Sequence, residues 1–329
     1  MSAVEEITMA QALNRALRDA MAEDESVLMF GEDVGPLGGV FRVTDGLTET
    51  FGERRCFDTP LAESGIVGMA VGLAMNGMRP VVEMQFDAFA YPAFEQIVSH
   101  VAKMRNRSRG RLPMPITIRV PYAGGIGGVE HHCDSSEAYY AHTPGLTVLA
   151  PSTAADGYTL LREAIDLPDP VVLLEPKKLY FSREKVDLAE ARAGIGRAVV
   201  RRSGTDATLI AYGTAVPVAL EAAEAAAAEG RSLGVVDLRS IVPFDDETVC
   251  AAVRSTGRAV LVAEAPGFVS VASEIAARVT ERCFHHLAAP VRRVTGFDIP
   301  YPPPKLERYH LPSVDRVLDA VDTLQWEDR

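Results

Sequence analysis

Residues 8–23 place Met9, Leu13, Leu17 and Met21 at helical spacing, and Val27–Phe30 is an unbroken apolar run that ends in Gly-Glu-Asp. The same alternation continues. A short strand, CFDT, passes through a turn at Pro60 into an almost wholly apolar helix, the whole spanning Cys56–Asn76, with a single carboxylate, Glu63, near the helix start. Arg79-Pro80 leads into the strand VVEMQF, which is followed by a helix-like stretch over Phe89–Met104. The strand PITIRV then feeds a long glycine-rich connection, PYAGGIGGVEHHCDSSEAYYAH. The strand LTVLAPS, a helix over Ala154–Ile165 and the strand VVLLEP complete the first half. Strands that are continuous apolar runs are buried on both faces, so the pattern predicts a parallel sheet between two layers of helices.

The segment from Lys177 to Asp206 is more charged and lacks a long apolar run, which makes it the linker candidate. A second α/β set follows: TLIAYG, an Ala-rich helix over Ala215–Glu229 ended by Gly230, LGVVDLRS, a helix near Asp246–Arg254, AVLVAEA, a helix over Val271–Cys283, VRRVTG and a last helix near Val314–Leu324. Pro300–Pro304 is a crossing loop. The expected fold class is α/β, with two consecutive parallel-sheet three-layer domains at 1–185 and 205–329 joined by a linker at 186–204. No internal sequence repeat supports duplication.

Composition narrows the function. The 329 residues, 47% hydrophobic and 24% charged, suffice for two domains. A net charge of −12 with no basic stripe argues against nucleic acid and anionic membrane surfaces. Cys56, Cys133, Cys250 and Cys283 form no CxxC pair, so neither a zinc site nor a disulfide framework is indicated. The N-terminal stretch is an acidic amphipathic helix, and no charge-free run of 18 apolar residues could span a bilayer. A cytoplasmic protein is expected; a mitochondrial matrix protein after import would look the same. GxxxxGK[ST], GxSxG, HExxH and a GxGxxG after the first strand are all missing, which removes the usual support for P-loop, serine-hydrolase, zincin and dinucleotide readings.

The remaining chemistry shares one place. Glu63, Gln85 with Phe89, and the His131-His132 loop each follow the carboxyl end of a first-half strand, the rim where open α/β sheets bind ligands. Each has a plainer reading too. Glu63 suits the positive end of a helix dipole, aromatics such as Phe89 dominate cores, and a glycine-rich loop is commonly surface. Glu130 to Asp134 looks like a metal cluster, but adjacent residues point in different directions and at most two could easily share an ion. A carboxylate, an aromatic face and a histidine could together grip a flat heterocycle.

The blocks DTPLAESGIVGMAVGLA, EMQFDAFAYPAFEQIVSHVAKMR, HHCDSSEAYYAHTPGLTVLAPST and LLEPKKLY, in this order, together with VVDLRSIVPFD and GFDIPYPPP, resemble the beta subunits of thiamine-diphosphate-dependent 2-oxo acid dehydrogenases over essentially the whole chain. The resemblance implies a pyrimidine-binding domain followed by a transketolase C-terminal-type domain. It implies that Glu63 hydrogen-bonds a ring nitrogen of the aminopyrimidine and favours its imino tautomer, with Phe89 packed on the ring and Leu61 and Gln85 beside it. His132 matches the histidine that assists acyl transfer to a lipoyl group, with His131 its neighbour. A structural potassium ion held near Ile116, Thr117, Ala164, Leu167 and Asp169 is implied as well. The GDG…N segment that binds the diphosphate through Mg²⁺ is absent. By resemblance an alpha subunit supplies it, in an α2β2 assembly whose acidic surface suits the basic subunit-binding domain of a lipoyl acyltransferase. EMQFDAFAYPAFEQIV and EPKKLY look closer to branched-chain members than to pyruvate ones; pyruvate and acetoin dehydrogenases are the alternatives. A non-catalytic assembly subunit is the rival of another class, and a scaffold needs none of Glu63, Phe89 and His132.

Overall fold

A computed structural model describes residues 4–188 and 194–324. The strands in chain order are β1 (Glu5–Thr8), β2 (Val27–Gly31), β3 (Cys56–Asp58), β4 (Arg79–Glu83), β5 (Thr117–Tyr122), β6 (Thr147–Leu149), β7 (Val171–Pro176), β8 (Arg183–Val186), β9 (Val199–Arg202), β10 (Ala207–Ala211), β11 (Leu233–Asp237), β12 (Ser240–Val242), β13 (Ala259–Pro266) and β14 (Arg292–Gly296). They form a seven-stranded sheet ordered β12-β6-β7-β5-β4-β2-β3, a five-stranded sheet ordered β14-β13-β10-β11-β9 and a small antiparallel β1-β8 pair. All neighbours within the two larger sheets are parallel except β12 on β6 and β9 on β11.

The buried, pleated strands account for the layers. Along β2, Leu28 and Phe30 face the helix Glu63–Met75 through Ile66, Val67 and Val71. Val27 and Met29 face the helices Met9–Glu23 and Ala154–Asp166 through Leu13, Leu17, Leu160 and Leu161. Thr8 and Gln11 cap the Met9–Glu23 helix reciprocally, the Gln11 N–H donating to Thr8 Oγ1 at 3.2 Å and the Thr8 N–H to Gln11 Oε1 at 3.0 Å. The Glu63 side of the first sheet shares one apolar core with Ile210, Tyr212, Val236 and Leu261 of the second, so the two sheets are packed through a common layer. The opposite face of the second sheet is covered by the helices Ala215–Ala228 and Val314–Asp322.

Three features differ from the sequence expectation. The run LGVVDLRS is two strands: Arg239 takes φ +55°, its guanidinium donates to Asp156 at 2.9 Å, and β12 crosses over to finish the edge of the first sheet. The stretch 186–204 is not wholly linker, because β9 within it pairs with β11; residues 189–193 lie outside the described part. The stretch Phe89–Met104 is a broken helix, 3₁₀ over Ala88–Ala93 around Pro92, then one α turn, then a π turn over Ile97–Val101.

Candidate active site

The carboxyl ends of β2, β4 and β5 lie side by side, so the residues that follow them meet on one rim. Glu63 is the first residue of its helix and half-buried. Facing it is Glu32, just past β2, which is 5% exposed and whose two carboxylate oxygens have no hydrogen-bond partner. Burial, then the charges of Glu63 and Asp33, push Glu32 from an ordinary value of 4.5 up to about 7. Glu32 therefore holds a proton close to neutrality. Beside it, Gln85 Nε2 donates to Asp33 at 2.7 Å.

A second cluster stands across the rim. His132 packs edge-on against Phe86 and Phe89, with ring centroids 4.3 and 5.4 Å away, while His131 stays outside with its Nδ1 3.4 Å from the exposed Glu130 carboxylate. His132 Nδ1 is buried without a partner. Burial and the neighbouring His131 and Lys177 pull its pKa below 6.5, so the ring is neutral at pH 7. Lys177 is itself buried, with Nζ 3.2 Å from the Pro121 carbonyl, 3.5 Å from Asp87 and 5.9 Å from the Phe86 ring centroid. Leu61 is 76% exposed, an apolar side chain turned outward at the turn before the Glu63 helix.

The chain is similar to known proteins over most of its length. The description "Transketolase, pyrimidine binding domain" matches residues 5–182, and "Transketolase, C-terminal domain" matches 196–317. The chain is 56% identical to a 3-methyl-2-oxobutanoate dehydrogenase subunit beta of Mycobacterium tuberculosis over 317 residues, 96% of this chain and 91% of that one. It is 55% identical to a pyruvate dehydrogenase E1 component subunit beta of Leifsonia xyli, over 97% and 95% of the two chains. This chain belongs to the family of 2-oxo acid dehydrogenase beta subunits. A solved structure described as a split gene transketolase, inactive beta4 tetramer, shares its fold, with TM-score 0.78 and 26% identity over 97% of this chain and 98% of that one.

The family depends on thiamine diphosphate, and a beta subunit works with an alpha subunit. The rim of this beta subunit fits the cofactor's flat end: Glu32 offers two orphaned carboxylate oxygens, His132 an orphaned ring nitrogen, and Leu61 and Phe89 apolar surface. The residues implied for potassium cluster where the Ala154–Asp166 helix ends, but several of their acceptors are engaged. Of the implied carbonyls, that of Ile116 accepts the Val171 N–H at 2.9 Å and that of Leu167 accepts from the Arg79 guanidinium at 3.3 Å; the same guanidinium donates to the neighbouring Ile165 carbonyl at 2.8 Å, and the Asp169 carboxylate, not its carbonyl, pairs with Arg105 at 2.5 Å. Thr117 and Ala164 are buried there. A guanidinium of the chain thus already sits at this helix C-terminus.

Sequence reading missed Glu32, Asp87 and Lys177. Glu32 directly follows the buried strand β2, whereas Glu63 opens a helix beyond the turn at Pro60, so the strand–turn–helix signal that singled out Glu63 passes over Glu32. Its raised pKa has a measurable consequence. Between 4.5 and about 7 the folded chain holds a proton on Glu32 that the unfolded chain has released, so the stability this group contributes is present at pH 4.5 and lost as pH rises through 7. Glu32→Gln removes the ionisation. The variant is expected to gain on the wild type between pH 5 and pH 8, by at most about 3 kcal/mol. Thermal midpoints of the two chains across that range check this, and parallel curves would refute it.

Proposed function

We propose that this chain is the beta subunit of a branched-chain 2-oxo acid dehydrogenase, which decarboxylates 2-oxo acids oxidatively and passes the acyl group to the lipoyl group of an acyltransferase. One observation carries the reading. An acidic pair, an aromatic cluster and a neutral histidine converge on one rim, in a chain 56% identical to a 3-methyl-2-oxobutanoate dehydrogenase subunit beta.

Bound thiamine diphosphate supplies a carbon nucleophile and an electron sink for departing carbon dioxide. The chain's own residues do the proton work. The Glu63 carboxylate shares a proton with a pyrimidine ring nitrogen, and Glu32 beside it keeps the pair from carrying two full charges. Phe89 and Leu61 give the ring apolar contact, and Gln85 ties Asp33 to the same rim. His132, neutral, is placed to donate a proton to the sulfur released as the lipoyl disulfide opens and its other sulfur takes the acyl group, the disulfide being the two-electron oxidant.

The diphosphate and Mg²⁺ fall to the alpha subunit, whose GDG…N segment this chain lacks. An α2β2 assembly acting in the cytoplasm is part of the reading. The helix Glu63–Met75 supports a partner: it is nearly all apolar, yet Met69 and Met75 are 39% and 47% exposed and Gly72 faces open space. The net charge of −12 suits docking by a basic domain of the acyltransferase. Among the described residues no helix is long and apolar enough to cross a membrane.

Steady-state decarboxylation by the reconstituted alpha and beta pair, across pyruvate, 2-oxoisovalerate and 2-oxoisocaproate, tests the substrate. A higher kcat/KM for the branched acids is expected. A clear preference for pyruvate would sink the branched-chain assignment and leave the family intact.

A further inference from the structure

The glycine loop that leads to His132 is tied down by the other domain. The Gly124 N–H donates to Oε1 of Glu264, a buried carboxyl on β13 that also accepts from Thr214 Oγ1 at 2.8 Å. The Gly125 and Gly127 N–H groups donate to Oε1 of Glu307 at 2.9 and 3.2 Å, and the Tyr301 hydroxyl donates to the same oxygen at 2.7 Å. Gly125 and Gly127 take φ +80° and +68°, and N–H groups in such a turn form a concavity that selects an anion. Here the anion is a side chain of the C-terminal domain.

The fit leaves no slack on that side. A Cβ on Gly124 would lie 1.9 Å from the Tyr301 hydroxyl, and one on Gly125 would lie 2.7 Å from Lys178. From the opposite side, the Asp134 carbonyl accepts the Ala123 N–H at 2.7 Å while its carboxylate accepts from Tyr91 at 2.7 Å. His132 lies between these two clamps.

We propose that Glu264 and Glu307 are positioning residues for the reaction: their carboxylates fix the glycine loop, so the C-terminal domain sets where His132 meets its substrate. The proposal deepens the assigned function and rests on the reading of His132 as the group that serves acyl transfer. Neither carboxylate is placed against the reacting atoms. Glu264 acts through the Gly124 N–H, and Glu307 through those of Gly125 and Gly127, where a charged acceptor is markedly stronger than an amide.

The test uses the enzyme reconstituted from alpha and beta chains with thiamine diphosphate and Mg²⁺. Amide hydrogen exchange over residues 123–134 is measured alongside two rates, lipoyl acylation and decarboxylation with an artificial electron acceptor. For Glu307→Gln, which keeps the shape and removes the charge, exchange at Gly125 and Gly127 is expected to rise about tenfold and acylation to fall about tenfold. Decarboxylation with the artificial acceptor is expected to stay within about twofold. Tyr301→Phe, which takes one hydrogen bond from Glu307 and leaves its charge, is expected to shift the same readouts less, and carries the test if Glu307→Gln does not assemble. Unchanged exchange overturns the proposal, and so does faster exchange with equal loss of both rates when His132→Ala itself slows acylation selectively. His132→Ala serves as the control on the reading beneath it. If that variant loses both rates equally, His132 is not an acyl-transfer group, while faster exchange in Glu307→Gln would still uphold the carboxylate anchor.

Discussion

Glu63→Gln is expected to lower turnover of the reconstituted enzyme about a thousandfold while leaving the fold intact. Glutamine keeps the size of the side chain and one hydrogen-bonding oxygen, but it can neither take nor return a proton. At the first position of its helix the residue is half-buried and forms no part of the apolar core, so an amide there costs little packing. The substitution also removes a negative charge that raises Glu32. Glu32 in the variant should therefore titrate lower than about 7, held up mainly by its burial. The measurement is kcat with saturating 2-oxo acid, alongside circular dichroism and the thermal midpoint of the chain. Turnover near the wild-type rate would remove the proton-sharing role. A collapse in the thermal midpoint would mean that the carboxylate serves the helix N-terminus and not the chemistry.

Glu63 could be found from sequence because its signal is local: a strand, a turn and an apolar helix with one acid at its opening. The strands were legible for a related reason, since a parallel strand buried on both faces is a plain apolar run. Glu32 carries no such local mark. It is one acid of a Gly-Glu-Asp turn, and it is buried where the following loop folds back on itself, with Thr44 Oγ1 donating to the Val34 carbonyl at 2.8 Å. The split of LGVVDLRS depends on Arg239 reaching Asp156, which is 83 residues away in the chain. The anchoring of Gly125 by Glu307 spans 182 residues. Contacts of that range leave no periodicity to read. Of the two adjacent histidines, both meet Phe89, but His132 alone also packs on Phe86, at 4.3 Å, and is half-buried while His131 is exposed. By contrast, the break after Phe89 had a visible cause in Pro92.

Beneath the rim lies a charge cluster that sequence shows only as Arg and Glu within strands, and its removal carries the largest expected effect on stability. Arg119 on β5 is fully buried. Its Nε and Nη2 donate to the two Glu175 oxygens on β7 at 2.7 and 2.8 Å, and its Nη1 donates to Glu83 on β4, the residue directly across the ladder. The Tyr180 hydroxyl adds a bond to Glu175 at 2.5 Å. The two carboxylates hold Arg119 firmly protonated against its burial, while burial pushes Glu83 up despite the guanidinium. Arg119→Met leaves both carboxyls in the core with nothing to compensate them. A loss of about 3–5 kcal/mol is expected, read as a lower urea midpoint of the chain at pH 7. Replacing all three residues by apolar ones of similar volume should recover most of that loss, because desolvating the ions costs about as much as their attraction returns. A small loss on Arg119→Met alone would mean that the carboxyls are already neutral in the folded chain. The triple variant separates stability from function. Glu83 Oε1 is 3.2 Å from where a Cβ on Gly39 would stand, so the cluster underlies the loop after Glu32. A triple variant that regains the wild-type midpoint without wild-type turnover would show that the buried charges hold that loop in place for the Glu32–Glu63 pair.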